Sequence, residues 1–119
     1  MVPSQVWTLI DIDALRDWPD YSEADAARFA HLDWPRVCEL ARSMVEIGSV
    51  VFPVEIPTDL PDDVQTGLHL LLVINIDTTP EQLIDGGHRL LAMRNQGVRF
   101  TVGVGPVRGH EKVPTGGQV

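Results

Sequence analysis

The stretch LIDGGHRLLAMR, residues 83–94, is expected to decide the fold, because it joins an apolar pair to a helix through two glycines. An apolar pair leads into Asp85, and the good helix formers that follow Gly86–Gly87 continue to Gly97, a typical residue after a helix C-terminus. The glycines therefore lie at a helix N-terminus. Unpaired N–H groups and the positive end of the helix dipole attract an anion there, and glycine lets it approach the backbone closely. This pattern predicts a phosphate-binding turn.

The two residues after the glycines suit phosphate chemistry. Arg89 offers a planar fork of donors, and His88 can donate a hydrogen bond or move a proton near neutral pH. A structural interpretation stays open, in which Asp85 is an N-cap, the glycines form a tight turn and Arg89 is a solvated helix residue. Arg89 is expected at the surface, so Arg89→Ala should lower stability by only about 0.5 kcal/mol. It should weaken ligand binding by about 1.5 to 3 kcal/mol.

The sequence Asp-Gly-Gly-His-Arg followed by Leu-Leu-Ala resembles the signature of the ParB/sulfiredoxin superfamily. The similarity extends upstream to residues 40–48 and 52–56, and it covers the chain from about Val6 to Val104. It implies a small mixed sheet with packed helices, an α/β (α+β) fold. It also implies binding of a nucleotide, ATP or CTP with Mg²⁺, or of another phosphorylated small molecule. The residues at this site would be Asp85, Gly86, Gly87, His88 and Arg89.

Members of the superfamily also hydrolyse nucleotides or transfer phosphate, which would make His88 and Arg89 catalytic residues of an NTPase or phosphotransferase. The sulfiredoxin branch carries a reactive cysteine where this chain has Gly87, so sulfinic-acid repair is not expected. The chain also departs from the chromosome-segregation members after Gly48, the glycine that ends the helix. Pro53 follows Gly48 by one residue more than in those members, and Phe52 stands where they commonly have a polar residue. An alternative is a non-catalytic adaptor, inhibitor or immunity-type protein whose acidic surface binds a basic partner.

Length and charge limit the remaining choices. The 119 residues, 44% of them hydrophobic, suffice for one domain, expected over residues 1–104, with a flexible tail over 105–119. The net charge of −8 and the absence of a helix-turn-helix argue against sequence-specific DNA binding. With no long apolar run and one cysteine, Cys38, we expect a cytoplasmic protein without a membrane segment.

No metal site of the protein's own is predicted. The acidic loop around Asp59, Asp62 and Asp63 lacks the spacing of a calcium-binding loop, and the four histidines lack zinc-site spacing. If Mg²⁺ accompanies a nucleotide, Asp85 is the nearest acid. Cys38 lies on the apolar side of a predicted helix and is expected to pack rather than react.

Periodicity predicts the order of elements. Strands are expected at Val6–Ile12, Val50–Ile56, Leu68–Ile76 and Val98–Val104; Leu68–Ile76 should be the buried central strand, and Val98–Val104 half-buried. Residues 78–82 are typical of a helix start or turn, and the resemblance to the superfamily implies a short strand near Leu83 and Ile84. Helices are expected at Ser22–His31, Trp34–Ile47 and after Gly87, with loops at Asp13–Tyr21 and Pro57–Gly67. The tryptophans Trp7, Trp18 and Trp34 should be core or rim anchors.

Overall fold

The computed structural model describes residues 5–15, 23–78 and 83–107, which form a four-stranded mixed sheet with packed helices. The strands are β1 Gln5–Asp11, β2 Asp77–Thr78, β3 Leu83–Asp85 and β4 Phe100–Pro106. The helices are α1 Glu23–Ala26, α2 Trp34–Met44, α3 Asp62–Leu72 and α4 Gly87–Asn95. The predicted small mixed α+β architecture is confirmed.

The sheet has the order β1-β4-β2-β3, so β4 is an inner strand. It runs antiparallel to β1 along its whole length, and parallel to β2 through the pair Asp77 and Val104. Residues 101–105 are all buried, so this strand is covered on both faces rather than half-buried as its alternation indicated. Gly105 and Pro106, assigned to the tail by sequence, complete β4, whereas residues 108–119 lie outside the described part.

Helix α2 begins where the sequence predicts. The Asp33 carboxylate accepts a hydrogen bond from the Arg36 N–H at 3.3 Å, which caps the first turn. The helix ends at Met44, three residues before the predicted end at Ile47. Gly48, with a φ of +87°, then turns the chain back, and its N–H donates to the Trp7 carbonyl at 2.8 Å.

The apolar run Leu68–Ile76 is not a central strand, and this prediction is wrong. Its first part belongs to α3, which also includes much of the predicted loop Pro57–Gly67. Acidic residues in the first turn favour a helix N-terminus, and the buried side chains recur at helical spacing. A Cβ on Gly67 would lie 2.5 Å from a methyl carbon of Val37, so glycine lets α3 approach α2 closely.

The predicted strand Val50–Ile56 is also wrong. Val50 forms one isolated antiparallel bridge with Val6, and residues 51–56 are not part of a strand. Pro53 has no N–H with which to continue a ladder along β1. The segment lies beside the sheet instead, with Val51, Val54 and Ile56 partly buried against the core.

Other predictions near the N-terminus agree with the structure where it describes them, whereas most of the predicted loop Asp13–Tyr21 lies outside the described residues. Trp7 and Trp34 are buried in the core, while Trp18 lies outside the described residues. The predicted helix Ser22–His31 is present as α1 and a following 3₁₀ turn, Ala27–Phe29. Cys38 is fully buried, as expected for a packing role, and this burial raises the pKa of its thiol to about 11.

Candidate functional site

The glycine turn forms as predicted, with β3 leading directly into α4. Gly86 occupies the N-cap position with a φ of +102°, a conformation that other residues rarely adopt. A Cβ there would also lie 2.8 Å from Cγ1 of Ile76 and 3.1 Å from Nη2 of Arg89. The first i to i−4 bond joins the Leu90 N–H to the Gly86 carbonyl at 3.0 Å, so the earlier amides lack intrahelical acceptors.

Arg89 does not lie at the surface, and this expectation is corrected by the structure. Only 7% of the residue is exposed. Its guanidinium Nη1 donates to the carbonyls of Leu70 and Ile74, and Nη2 donates to the Asn75 carbonyl at 3.4 Å. These carbonyls belong to the last turn of α3 and the residues after it, where a helix leaves acceptors unpaired. Arg89 therefore stabilises the C-terminal end of α3 through these hydrogen bonds, and they account for the burial of its guanidinium.

The glycines are buried as well. Both Gly86 and Gly87 are in the buried class, so the start of α4 is largely covered by protein. Asp85 is exposed, and its Oδ1 accepts a hydrogen bond from the Gly86 N–H at 2.9 Å. Gly86 rather than Asp85 is thus the N-cap residue, so the alternative role considered for Asp85 is not realised.

His88 faces helix α1. Its Nε2 lies 3.8 Å from Oδ2 of Asp25, with 34% of the His88 side chain exposed. A second contact between the two helices joins the Asn95 side-chain amide to a carboxylate oxygen of Glu23 at 2.9 Å. His88 therefore contributes to the packing of α1 on α4, a partner that its position in the sequence did not indicate.

Asp77 is the site residue that sequence reasoning missed. It pairs with Asp85 across β2 and β3, so the two carboxylates come from directly opposed residues. Burial and the charge of Asp85 raise the pKa of Asp77, while Arg89 opposes the shift. The sequence interpretation ended a strand at Ile76 and gave Asp77 no place, so only the β2–β3 pairing reveals the carboxylate pair.

The charged side chains around the glycine turn are mainly acidic. Asp77 and Asp85 lie side by side, Asp25 lies against His88, and the Arg89 guanidinium is directed inward. A phosphate group would meet these carboxylates without a free arginine to bind it. Two carboxylates together with substrate phosphates are, however, a common set of Mg²⁺ ligands. Within residues 5–15, 23–78 and 83–107, no group of three or more metal-ligating side chains is assembled.

Comparison of the chain with protein-family models, curated proteins and solved structures gave no match. Among the described helices, none has the length and apolar character needed to cross a membrane. The geometry and the charge distribution are therefore the basis for a functional proposal.

Proposed function

We propose that this protein is a non-catalytic protein-binding module of the adaptor, inhibitor or immunity type. Its acidic half, by which we mean residues 43–88, would bind a basic partner in the cytoplasm. One observation supports this most directly. No lysine or arginine occurs between Arg42 and Arg89, while eight of the 17 acidic residues do. The other nine acidic residues balance the nine basic residues of the chain, so residues 43–88 account for the whole net charge of −8.

An exposed apolar segment lies within this acidic half. We call residues 46–59 the Phe52 segment. Phe52 is 67% exposed and Ile47 50% exposed, although both are large apolar side chains. Within the described part, the backbone of residues 51–56 makes no backbone hydrogen bond to another segment. Apolar anchors surrounded by charge are typical of protein-binding surfaces.

The acidic side chains indicate the partner's charge. Glu46, Glu55 and Asp59 are exposed residues of the same segment. A basic surface would gain from long-range attraction to this segment, whereas an acidic one would be repelled. Phe52 would then act as the buried anchor of the interface.

The proposal is tested with an array of immobilised peptides of defined charge and apolar content. We expect the wild type to bind peptides that combine Lys or Arg with apolar residues, with affinity that falls as salt rises. Phe52→Ser and Glu55→Lys should lose this binding. Leu9→Ser and Glu39→Lys are matched controls outside the acidic half and should retain it. Binding that ignores peptide charge, or that the Phe52 and Glu55 variants keep, would overturn the proposal.

A second candidate, nucleotide binding, is favoured by the Asp77 and Asp85 pair beside the first turn of α4. In this proposal, ATP or CTP binds with Mg²⁺ held by the two carboxylates, and the amides of Gly87 and His88 approach a phosphate oxygen. The resemblance to the ParB/sulfiredoxin superfamily supports it. Arg89 would stabilise phosphate only after leaving its carbonyl partners, and phosphoryl transfer would use His88 to position or protonate an oxygen.

A thermal-shift series separates the two candidates. ATP, CTP, GTP and ADP, each with Mg²⁺, should raise the melting temperature of the wild type only if the second candidate is correct. In that case Asp77→Asn, which removes one carboxylate, should abolish the shift. If no nucleotide changes the melting temperature at millimolar concentration, the second candidate is rejected and the protein-binding proposal stands alone.

A further inference from the structure

A solvent-open cavity of about 220 Å³ lies between α2 and the residues that join α4 to β4. Its lining residues are Pro35, Arg42, Gly97, Val98, Arg99 and Phe100. Pro35 and Arg42 are seven residues apart on α2, about two turns, so they lie on the same side of the helix. The cavity is separate from both the glycine turn and the Phe52 segment.

Arg42 supplies a positive charge to this cavity. Its Nη1 donates to the Phe100 carbonyl at 2.7 Å, which fixes the guanidinium at the cavity wall. In the part of the chain that the structure describes, no carboxylate forms an ion pair with Arg42. A guanidinium carries five N–H donors, so most of the Arg42 fork is available to a ligand.

Arg99 has a different role, because acidic side chains already compensate its charge. Its Nε and Nη2 each lie 3.2 Å from an oxygen of Asp11, and Asp13 lies 3.8 Å away. The guanidinium also lies over the Phe100 ring, 4.9 Å from its centre. Phe100 as a whole is 38% exposed. The cavity thus combines one available cation with apolar surface from Phe100, Val98 and Pro35.

We infer that this cavity binds a monocarboxylate that carries a small apolar or aromatic group. The Arg42 fork matches the geometry of a carboxylate, and the apolar walls would contact the body of the ligand. The volume is below the roughly 300 to 1,000 Å³ of typical drug-sized and cofactor sites, which favours a small ligand. The same chemistry is offered by a free organic acid and by the C-terminal carboxylate of a peptide that ends in an apolar residue.

Phenylacetate is a suitable probe, followed by ¹H–¹⁵N chemical shifts of the amides of residues 97–100. We expect saturable shifts with phenylacetate and none with phenylacetamide, which has the same shape without the charge. Arg42→Ala should weaken binding about tenfold or more, and Arg42→Lys should recover part of it. Arg36→Ala, an exposed position on α2 outside the cavity, is the matched control and should bind as the wild type does.

Further binding measurements identify the class of ligand and its source. Equal binding of phenylacetate and phenylacetamide, or unchanged binding by Arg42→Ala, would overturn the inference. So would displacement of phenylacetate by equimolar inorganic phosphate, since that would show an unselective anion site. A peptide with a free C-terminal phenylalanine that binds more tightly than phenylacetate, and loses binding when amidated, would identify a peptide C-terminus as the source. If Arg42→Ala fails to fold, the phenylacetate and phenylacetamide comparison on the wild type remains decisive.

Discussion

Arg89→Ala is expected to destabilise the domain strongly, because the guanidinium satisfies carbonyl oxygens at the end of α3. Hydrogen bonds from a charged donor contribute about 1.5 to 3 kcal/mol each. Arg89 makes two such bonds, to Leu70 and Ile74, and a longer one to Asn75. Burial of the charge offsets part of this gain, and it lowers the pKa of Arg89. We therefore expect Arg89→Ala to lower the free energy of unfolding by about 3 kcal/mol.

Urea denaturation followed by tryptophan fluorescence measures this loss, since Trp7 and Trp34 are in the core. Arg89→Lys should recover roughly half of it, because an ammonium reaches the carbonyls without reproducing the planar fork. Arg36→Ala, at an exposed arginine on α2, is the control and should change stability by about 0.5 kcal/mol at most. If Arg89→Ala costs no more than the control, the guanidinium does not brace α3 and the phosphate-binding role regains support.

The remaining predictions concern single positions and one assay. Gly86→Ala should lower the free energy of unfolding by about 1 to 3 kcal/mol, because the new side chain would meet both a positive φ and a close contact to Ile76. In the same urea experiment Gly97→Ala should lower it less, since a Cβ there would meet no atom within 4 Å. Cys38 should react with a thiol reagent at pH 8 only at the rate of unfolding, because it is fully buried and its raised pKa also keeps the thiol protonated. Rapid labelling of the folded protein would contradict this. Asp77→Asn should raise the melting temperature at pH 7, because it removes a partly buried charge that lies beside Asp85. The gain should shrink as pH falls through the raised pKa of Asp77, since protonation removes the same charge in the wild type. A gain independent of pH would show that this charge is not the cause. Mobility-shift assays at physiological salt should show no sequence-specific duplex binding, and a defined footprint would refute this.

Local signals in the sequence were sufficient for several elements. The Asp33 cap fixes the start of α2, and the glycine pair predicts the turn into α4. The run Leu68–Ile76 was assigned to a strand because continuous apolar sequence does not distinguish a buried strand from a buried helix. Its upstream acidic residues and Gly67 carry the helical signal, but the meaning of Gly67 depends on Val37, a contact that only the packed structure provides.

The sequence predicts where the glycine turn lies but not the direction of its side chains. Its residues lie at the start of a helix after a strand, as expected, and the sequence could not show where Arg89 points. Arg89 points toward the carbonyls at the C-terminal end of α3. Its direction could be predicted only by knowing that α3 is a helix and where this helix ends. The wrong element assignment for Leu68–Ile76 therefore led to the wrong environment for Arg89, and Asp77 was missed for the same reason.

Three residues of the glycine turn have a role in the fold that needs no ligand. Gly86 meets a backbone requirement, Arg89 binds carbonyls of α3, and His88 faces Asp25. In the part of the chain that the structure describes, the exposed side chains of Glu46, Glu55 and Asp59 form no hydrogen bond or ion pair, and Phe52 is 67% exposed. Concentrated like charge lowers the stability of a compact domain, and a large exposed apolar side chain adds nothing to the core. Features that cost stability without supporting the fold are better explained by a binding partner, which is why the functional proposal rests on the Phe52 segment rather than on the glycine turn.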